Sequence, residues 1–213
     1  MKNLSKLDLL SHRFRGFYPV VIDIETSGFN SKYNAILEIS IITLRMHNGW
    51  LEKNETLHFH ILPFKGSNIS LEALAFNGIN IDTSLRGAIT EKKALKIIFK
   101  KISQDIKINK CRKAVIVAHN ASFDHSFIMQ ATKRTKLENY NPFHSFVIFD
   151  TTSMCGLILG QTVLAKSCHA IGIPFDNNKA HSALYDTNRT AELFCKLVNK
   201  WKIKGGWPPN SFS

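Results

Sequence analysis

Apolar residues recur at strand spacing in three early runs, YPVVIDIE (18–25), ILEISIITLRM (36–46) and TLHFHILP (56–63), separated by short turns bearing Gly or Asn. Connections this short predict an antiparallel meander. The period then lengthens: SLEALAFN (70–77) reads as a short helix. TEKKALKIIFKKISQ (90–104) reads as a longer one, with Ala94, Leu95, Ile98 and Ile102 on its apolar stripe and lysines opposite. KAVIVAHN (113–120) predicts a fourth strand entering a helix capped near Ser122. FVIFDT (146–151) repeats the pattern, with Asp150 as a helix cap. Helical spacing returns at 161–171 and from about Ser182 to Trp201. The order predicts an α/β fold in which a mixed central sheet, an antiparallel meander plus parallel strands, is flanked by helices and carries its site at strand ends. At 213 residues one domain over 1–213 is expected, with a basic N-terminal arm (1–16) and a loose C-terminal tail (205–213, GGWPPNSFS).

One strand breaks its own pattern. Alternation puts Asp23 and Glu25 on the same face of a run that is otherwise buried. Two ionised carboxylates confined together repel and resist burial unless a proton or cation joins them. A turn cap and a salt bridge would account for such a pair standing alone. Further acids follow, however: Asp124 in AHNASFDHSF, at the start of the helix after strand four, and Asp186 in HSALYDTNRTAELF. In that last stretch five helical residues would turn the chain by about 500°, so His181 is placed on the loop before the helix and Asp186 within it. Carboxylates in the order D-x-E, D, then H-x-x-x-x-D supply oxygen ligands suited to Mg²⁺ or Mn²⁺ and one imidazole base.

Charge narrows the partners. There are 28 Lys and Arg against 16 Asp and Glu, a formal net charge of +12, which favours a polyanion such as nucleic acid. The N-terminal MKNLSKLDLLSHRFRGF has no apolar run of signal-peptide or membrane-spanning length, so a cytoplasmic protein with no membrane partner is expected. Four cysteines, at 111, 155, 168 and 195, form no CxxC pair and support neither a zinc site nor a disulfide framework.

The set Asp23, Glu25, Asp124, His181 and Asp186 resembles the DEDDh branch of the 3′-to-5′ exonucleases. RFRGFYPVVIDIETSGFN, EALAFNGI, VAHNASFDHSF, NPFHSF, GQTVL, AHSALYDTNRTAELFC and GGWP resemble bacterial ribonuclease T over nearly the whole chain. The resemblance implies a ribonuclease H-like fold and a homodimeric enzyme. Such an enzyme trims single-stranded 3′ ends of tRNA and other stable RNA precursors and also acts on single-stranded DNA. It implies two Mg²⁺ per site, replaceable by Mn²⁺, held by Asp23, Glu25 and Asp186, with Asp124 acting one water away. His181 takes a proton from the attacking water and is also counted among the metal-site residues. Phe29, Phe76, Phe123 and Phe146 would stack on terminal bases, Glu72 would read a base edge, and a terminal cytosine would resist removal. Arg13, Arg15, Lys107 and Lys113 would hold the nucleic-acid backbone, serving the partner subunit's active site. Where the family often has basic residues before NPF, this chain reads KLENY (136–140), so one phosphate contact is expected to be lost or to move to Lys133, Arg134 or Lys136. The competing readings are an oligoribonuclease or proofreading-type exonuclease, and a non-catalytic RNA-binding module whose acids are relics.

Overall fold

Strand β1 (Phe17–Thr26) is buried from Tyr18 to Ile22 because both of its faces are apolar there, as a strand covered on two sides must be. A computed structural model describes residues 9–82 and 86–207. β1 pairs antiparallel with β2 (Ile36–His47), and β2 with β3 (Trp50–Leu62), which is the expected meander. β4 (Ile89–Thr90) edges β3. On its other side β1 pairs parallel with β5 (Lys113–Ala118), and β5 with β6 (Phe143–Asp150), giving the order β4-β3-β2-β1-β5-β6. Helices α1 (Leu10–Arg13), α2 (Leu71–Asn77), α3 (Glu91–Ile108), α4 (Ala121–Arg134), α5 (Thr151–Leu159), α6 (Leu164–Ala170) and α7 (Ala183–Ile203) complete the fold.

Two anchoring contacts set the layers. The buried Tyr18 hydroxyl donates to Leu44 O and to Asp105 of α3, tying one face of the sheet to that helix. Asn199 of α7 exchanges hydrogen bonds with both backbone groups of Leu51, and the Thr187 hydroxyl donates to Ser40 O, so α7 lies across β1 to β3 on the opposite face. Between them Ile22, Ile39, Ile98, Ile116, Phe127 and Phe194 belong to a continuous apolar core. Each such side chain removed from water contributes about 1.5–3 kcal/mol.

Four details differ from the sequence reading. β3 starts at Trp50, six residues before TLHFHILP, because its first half is solvated. Arg45 and Glu52 pair across the strands at 3.3 Å, and a polar outer face hides a strand from an apolar count. α6 starts at Leu164, not Gln161, since the His119 ring is 2.9 Å from Thr162 O and 3.0 Å from the Thr151 hydroxyl, holding the lead-in segment against α5. Of the terminal segments, Leu9 and Leu10 are buried, and the Arg13 guanidinium lies over Phe14 and Trp207 at 5.0 and 4.5 Å, so both segments are packed there. Residues 1–8 of the arm and 208–213 of the tail lie outside the described residues.

The fourth is a correction. Ser122 does not cap α4: the cap position is Asn120, in a left-handed conformation (φ 71°) with no side-chain bond to the helix. The cap comes from Asp150. Its Oδ1 accepts from the N–H groups of Asn120 and Ala121 at 3.0 and 3.2 Å, while Oδ1 and Oδ2 accept from Thr152 and Ser153 at 3.3 and 3.0 Å. β5 and β6 are parallel neighbours that end at the same level, so one carboxylate reaches two helix N-termini. Asp150→Ala is expected to cost about 2 kcal/mol, two caps at about 1 each, and to lower Tm by roughly 6 °C. Thermal melts of Asp150→Ala and Asp150→Asn check this; an unchanged Tm in the alanine variant contradicts it.

Candidate active site

Past Val21 the pairing of β1 with β5 stops, and the last residues of β1 are free to carry polar side chains. Asp23 and Glu25 stand there on the face that α7 covers, and α7 brings Asp186 in its first turn. Carboxylate oxygens of Asp23, Glu25 and Asp186 all lie within 4.8 Å of one another. Asp124, in the first turn of α4 and 4% exposed, sits behind them, and its carboxylate accepts the N–H of Ile24 between the two β1 acids. That bond fills the edge of β1 that β5 has left. The fold thus gathers the four acids that the sequence spreads over 164 positions, from 23 to 186.

His181 precedes α7, as expected, in a left-handed conformation (φ 65°). Its backbone N–H donates to Asp186 Oδ2 at 2.9 Å, which fixes the loop to the carboxylate it accompanies. The imidazole is exposed at the cavity wall, its ring centroid 4.1 Å from that of Phe76, outside the group of three mutually close carboxylates.

The cavity has a volume of about 390 Å³ and combines Asp23, Glu25 and Asp186 with Phe29, Glu72, Phe76, Phe123 and His181. Phe29 is 88% and Phe76 66% exposed, an unusual outlay of aromatic surface to water. Phe123 is packed from behind by Phe127 (4.9 Å) and meets Phe29 edge-on (6.4 Å). Phe29 is presented by a turn that needs Gly28, because a Cβ there would lie 2.5 Å from the Asn34 side chain. Phe146 is exposed on β6 against His144 and does not line this cavity. Sequence reasoning missed Asn77: its side chain donates to the Glu25 carboxylate and to Thr26 O (3.1 Å), but an Asn before Gly reads as a helix stop.

Burial and mutual repulsion dominate the electrostatics. Glu25 is pushed up to about 8, first by burial and then by Glu38, Asp186 and Asp124. Burial likewise lifts Asp124 to about 8. Burial, then Asp124 and Asp186, drives Asp23 well above the usual carboxylate range, and burial raises Asp186. Asp186 Oδ1 is buried and accepts no hydrogen bond. Three crowded carboxylates, one with an orphaned oxygen, fit a divalent cation that takes hard oxygen ligands.

The basic residues lie elsewhere. Phe17 pairs with Lys113 at the opposite end of β1, so Arg15 and Lys113 lie where β1 and β5 begin, while Lys107 stands in the last turn of α3. Eight residues of strand separate Phe17 from Glu25, about 26 Å. Lys113 also donates to Asn141 O at 3.1 Å, Arg13 is partly buried, and Lys107 is exposed. Arg134 is engaged within the fold: it forks onto Glu91 at 2.7 and 3.0 Å and stacks on Phe64 at 3.9 Å. Lys133 and Lys136 are exposed.

Comparison with known proteins agrees with this geometry. The sequence profile of the family described as "Exonuclease" matches residues 20–194. The nuclease domain of 3′hExo, a DEDDh family member bound to rAMP, superposes with a TM-score of 0.64 at 20% identity, covering 86% of this chain and 92% of that one. E. coli exonuclease I in complex with a dT13 oligonucleotide gives 0.67 at 16% identity, covering 90% of this chain and 43% of that one. The fold is therefore the ribonuclease H-like fold of the DEDDh exonucleases. Ribonuclease T of Buchnera aphidicola subsp. Cinara cedri is 62% identical over 203 residues, covering 95% of this chain and 91% of that protein. Ribonuclease T of Yersinia pseudotuberculosis serotype O:1b is 59% identical over 209 residues, covering 98% and 97%. The chain belongs to the ribonuclease T family of exonucleases, and its activity is that of a metal-dependent 3′-to-5′ exoribonuclease. No helix among the described residues is long and apolar enough to cross a membrane.

Proposed function

We propose that this exonuclease, a single domain acting in the cytoplasm, trims single-stranded 3′ ends of tRNA and other stable RNA precursors, accepts single-stranded DNA, and releases nucleoside 5′-monophosphates. The observation that carries the reading is the meeting of three close carboxylates with Phe29, Phe76 and Phe123 in one cavity.

Asp23, Glu25 and Asp186 would hold two Mg²⁺ ions, with His181 at the rim of the set, and Mn²⁺ would substitute. When bound, such ions neutralise the charge that develops on the scissile phosphate and its leaving oxygen. The chain does the rest. Asn77 holds the Glu25 carboxylate in place. Phe29, Phe76 and Phe123 stack on unpaired bases, each stack worth about 1–3 kcal/mol, and Glu72 accepts from a base edge. Phe146, outside the cavity, would meet a base further along the strand. His181 takes the proton of the attacking water at a ring nitrogen, and its contact with Phe76 links base stacking to the position of the base catalyst. Arg13, Arg15, Lys107 and Lys113, toward the far end of β1, would hold the nucleic-acid backbone for the partner's active site in a homodimer.

The test is digestion of 3′-labelled single-stranded RNA ending in A or in CC, with Mg²⁺ or with EDTA. Metal-dependent release of 5′-mononucleotides, slowed at CC, is expected. Binding without cleavage in Mg²⁺ would favour the non-catalytic reading.

A further inference from the structure

A second polar cluster adjoins the three carboxylates. Glu38 of β2 pairs directly with Glu25 of β1 on one side and with His60 of β3 on the other, so the three side chains stand in a row on the face covered by α7. Glu38 is 6% exposed, yet its oxygens are satisfied. Its Oε1 accepts from His58 Nε2 at 2.8 Å, and its carboxylate also accepts the N–H of Leu184. His60 closes the cluster, its ring 4.9 Å from that of His58.

The Leu184 bond gives this cluster its significance. Ser182 occupies the cap position of α7 but makes no side-chain bond to the helix, so the first turn lacks a local cap. Glu38 supplies from the sheet what a cap residue supplies from the chain, and its negative charge suits a helix N-terminus. That turn holds Asp186, with His181 fastened to it through the Asp186 carboxylate. The strand that carries Glu38 is also the strand paired with Asp23 and Glu25. A displacement of α7 along the sheet would therefore separate Asp186 from the other two acids.

We propose that Glu38, held by His58, is a positioning residue that sets the distance between Asp186 and the Asp23–Glu25 pair. The inference rests on the metal-site reading above.

The test is Mn²⁺ binding to the full-length protein, followed by electron paramagnetic resonance, alongside steady-state cleavage of single-stranded RNA well below Tm. Glu38→Ala is expected to weaken Mn²⁺ binding and to lower kcat, each by about 10–100-fold, the range found for groups that orient metal ligands, with KM for RNA within about twofold. His58→Leu should follow it, whereas His58→Gln, which still donates to Glu38, should recover most of both; this pair decides the matter if Glu38→Ala does not fold. Mn²⁺ affinity and kcat within about threefold of wild type in His58→Leu would overturn the proposal. So would an additional bound ion that disappears in His60→Ala, since the cluster would then be a metal site and not a brace. Wild-type protein that binds Mn²⁺ but leaves RNA intact would refute the exonuclease reading alone, because the binding arm still reports on Glu38.

Discussion

Asp23→Asn is expected to slow 3′-end hydrolysis by about 10³-fold or more, the several kcal/mol that metal stabilisation of a phosphoryl transition state supplies. The same change should raise the stability of the metal-free protein. Asp23 faces Asp124, Asp186 and Glu25 in a site that burial makes costly for any charge, and an uncharged amide of the same shape relieves that repulsion. RNA affinity should hardly move, since Phe29 and Phe76 are untouched. Single-turnover cleavage at saturating Mg²⁺, filter binding and calorimetry in EDTA measure the three quantities. An active Asp23→Asn enzyme would remove Asp23 from the chemistry; an inactive one with a lower Tm would mean that the residue serves the fold.

The metal-free protein should lose stability as pH rises. Glu25 and Asp124 are both held near 8, far above the roughly 4 of an unfolded carboxylate, so between those limits the folded chain keeps protons that the unfolded chain releases. The unfolded state binds fewer protons, and stability therefore falls through the window from about pH 4 to about pH 8. Glu38 and Asp150 act in the opposite sense. Burial alone would raise them, but hydrogen bonds from His58 to the one, and from Ser153 and the two helix N-termini to the other, bring them below the usual value, so their contribution is lost on acidification. A stability maximum in mildly acidic EDTA buffer follows. From about pH 5 to about pH 8.5, Tm should drop by something on the order of 10 °C, and Mg²⁺ at the upper pH should restore it. A flat or rising profile without metal would mean that these acids are not crowded.

The β1 acids could be read in the sequence because strand alternation is strict: Asp23 and Glu25 had to share a face, and no apolar strand carries two carboxylates without a partner. Asp124, His181 and Asp186 were recognisable by their order along the chain. Glu38 was not. It is one more charge in a strand, and what distinguishes it is His58, twenty residues on, and an N–H at position 184. The ion pair of Arg134 was hidden for the same reason, since nothing near it in the sequence shows Glu91, 43 residues away, holding its guanidinium. Ser122 failed as a cap because the competing carboxylate, Asp150, arrives from the adjacent strand. Periodicity reports what a residue's own element needs; it is silent on groups supplied across the sheet.

Helix α2 carries Glu72, Phe76 and Asn77 yet has no buried residue. It is tied down at its ends, by Ser70 N–H to Ser27 O at 2.9 Å and by the Asn77 side chain to Thr26 O. The acids, by contrast, are rooted in strands and helices that the core cannot do without. Substitutions at Glu72 and Phe76 therefore leave the core intact, whereas Asn77 couples the same short helix to the Glu25 carboxylate beneath it. A shift of that helix would be felt by the metal-binding acids before it was felt by the fold.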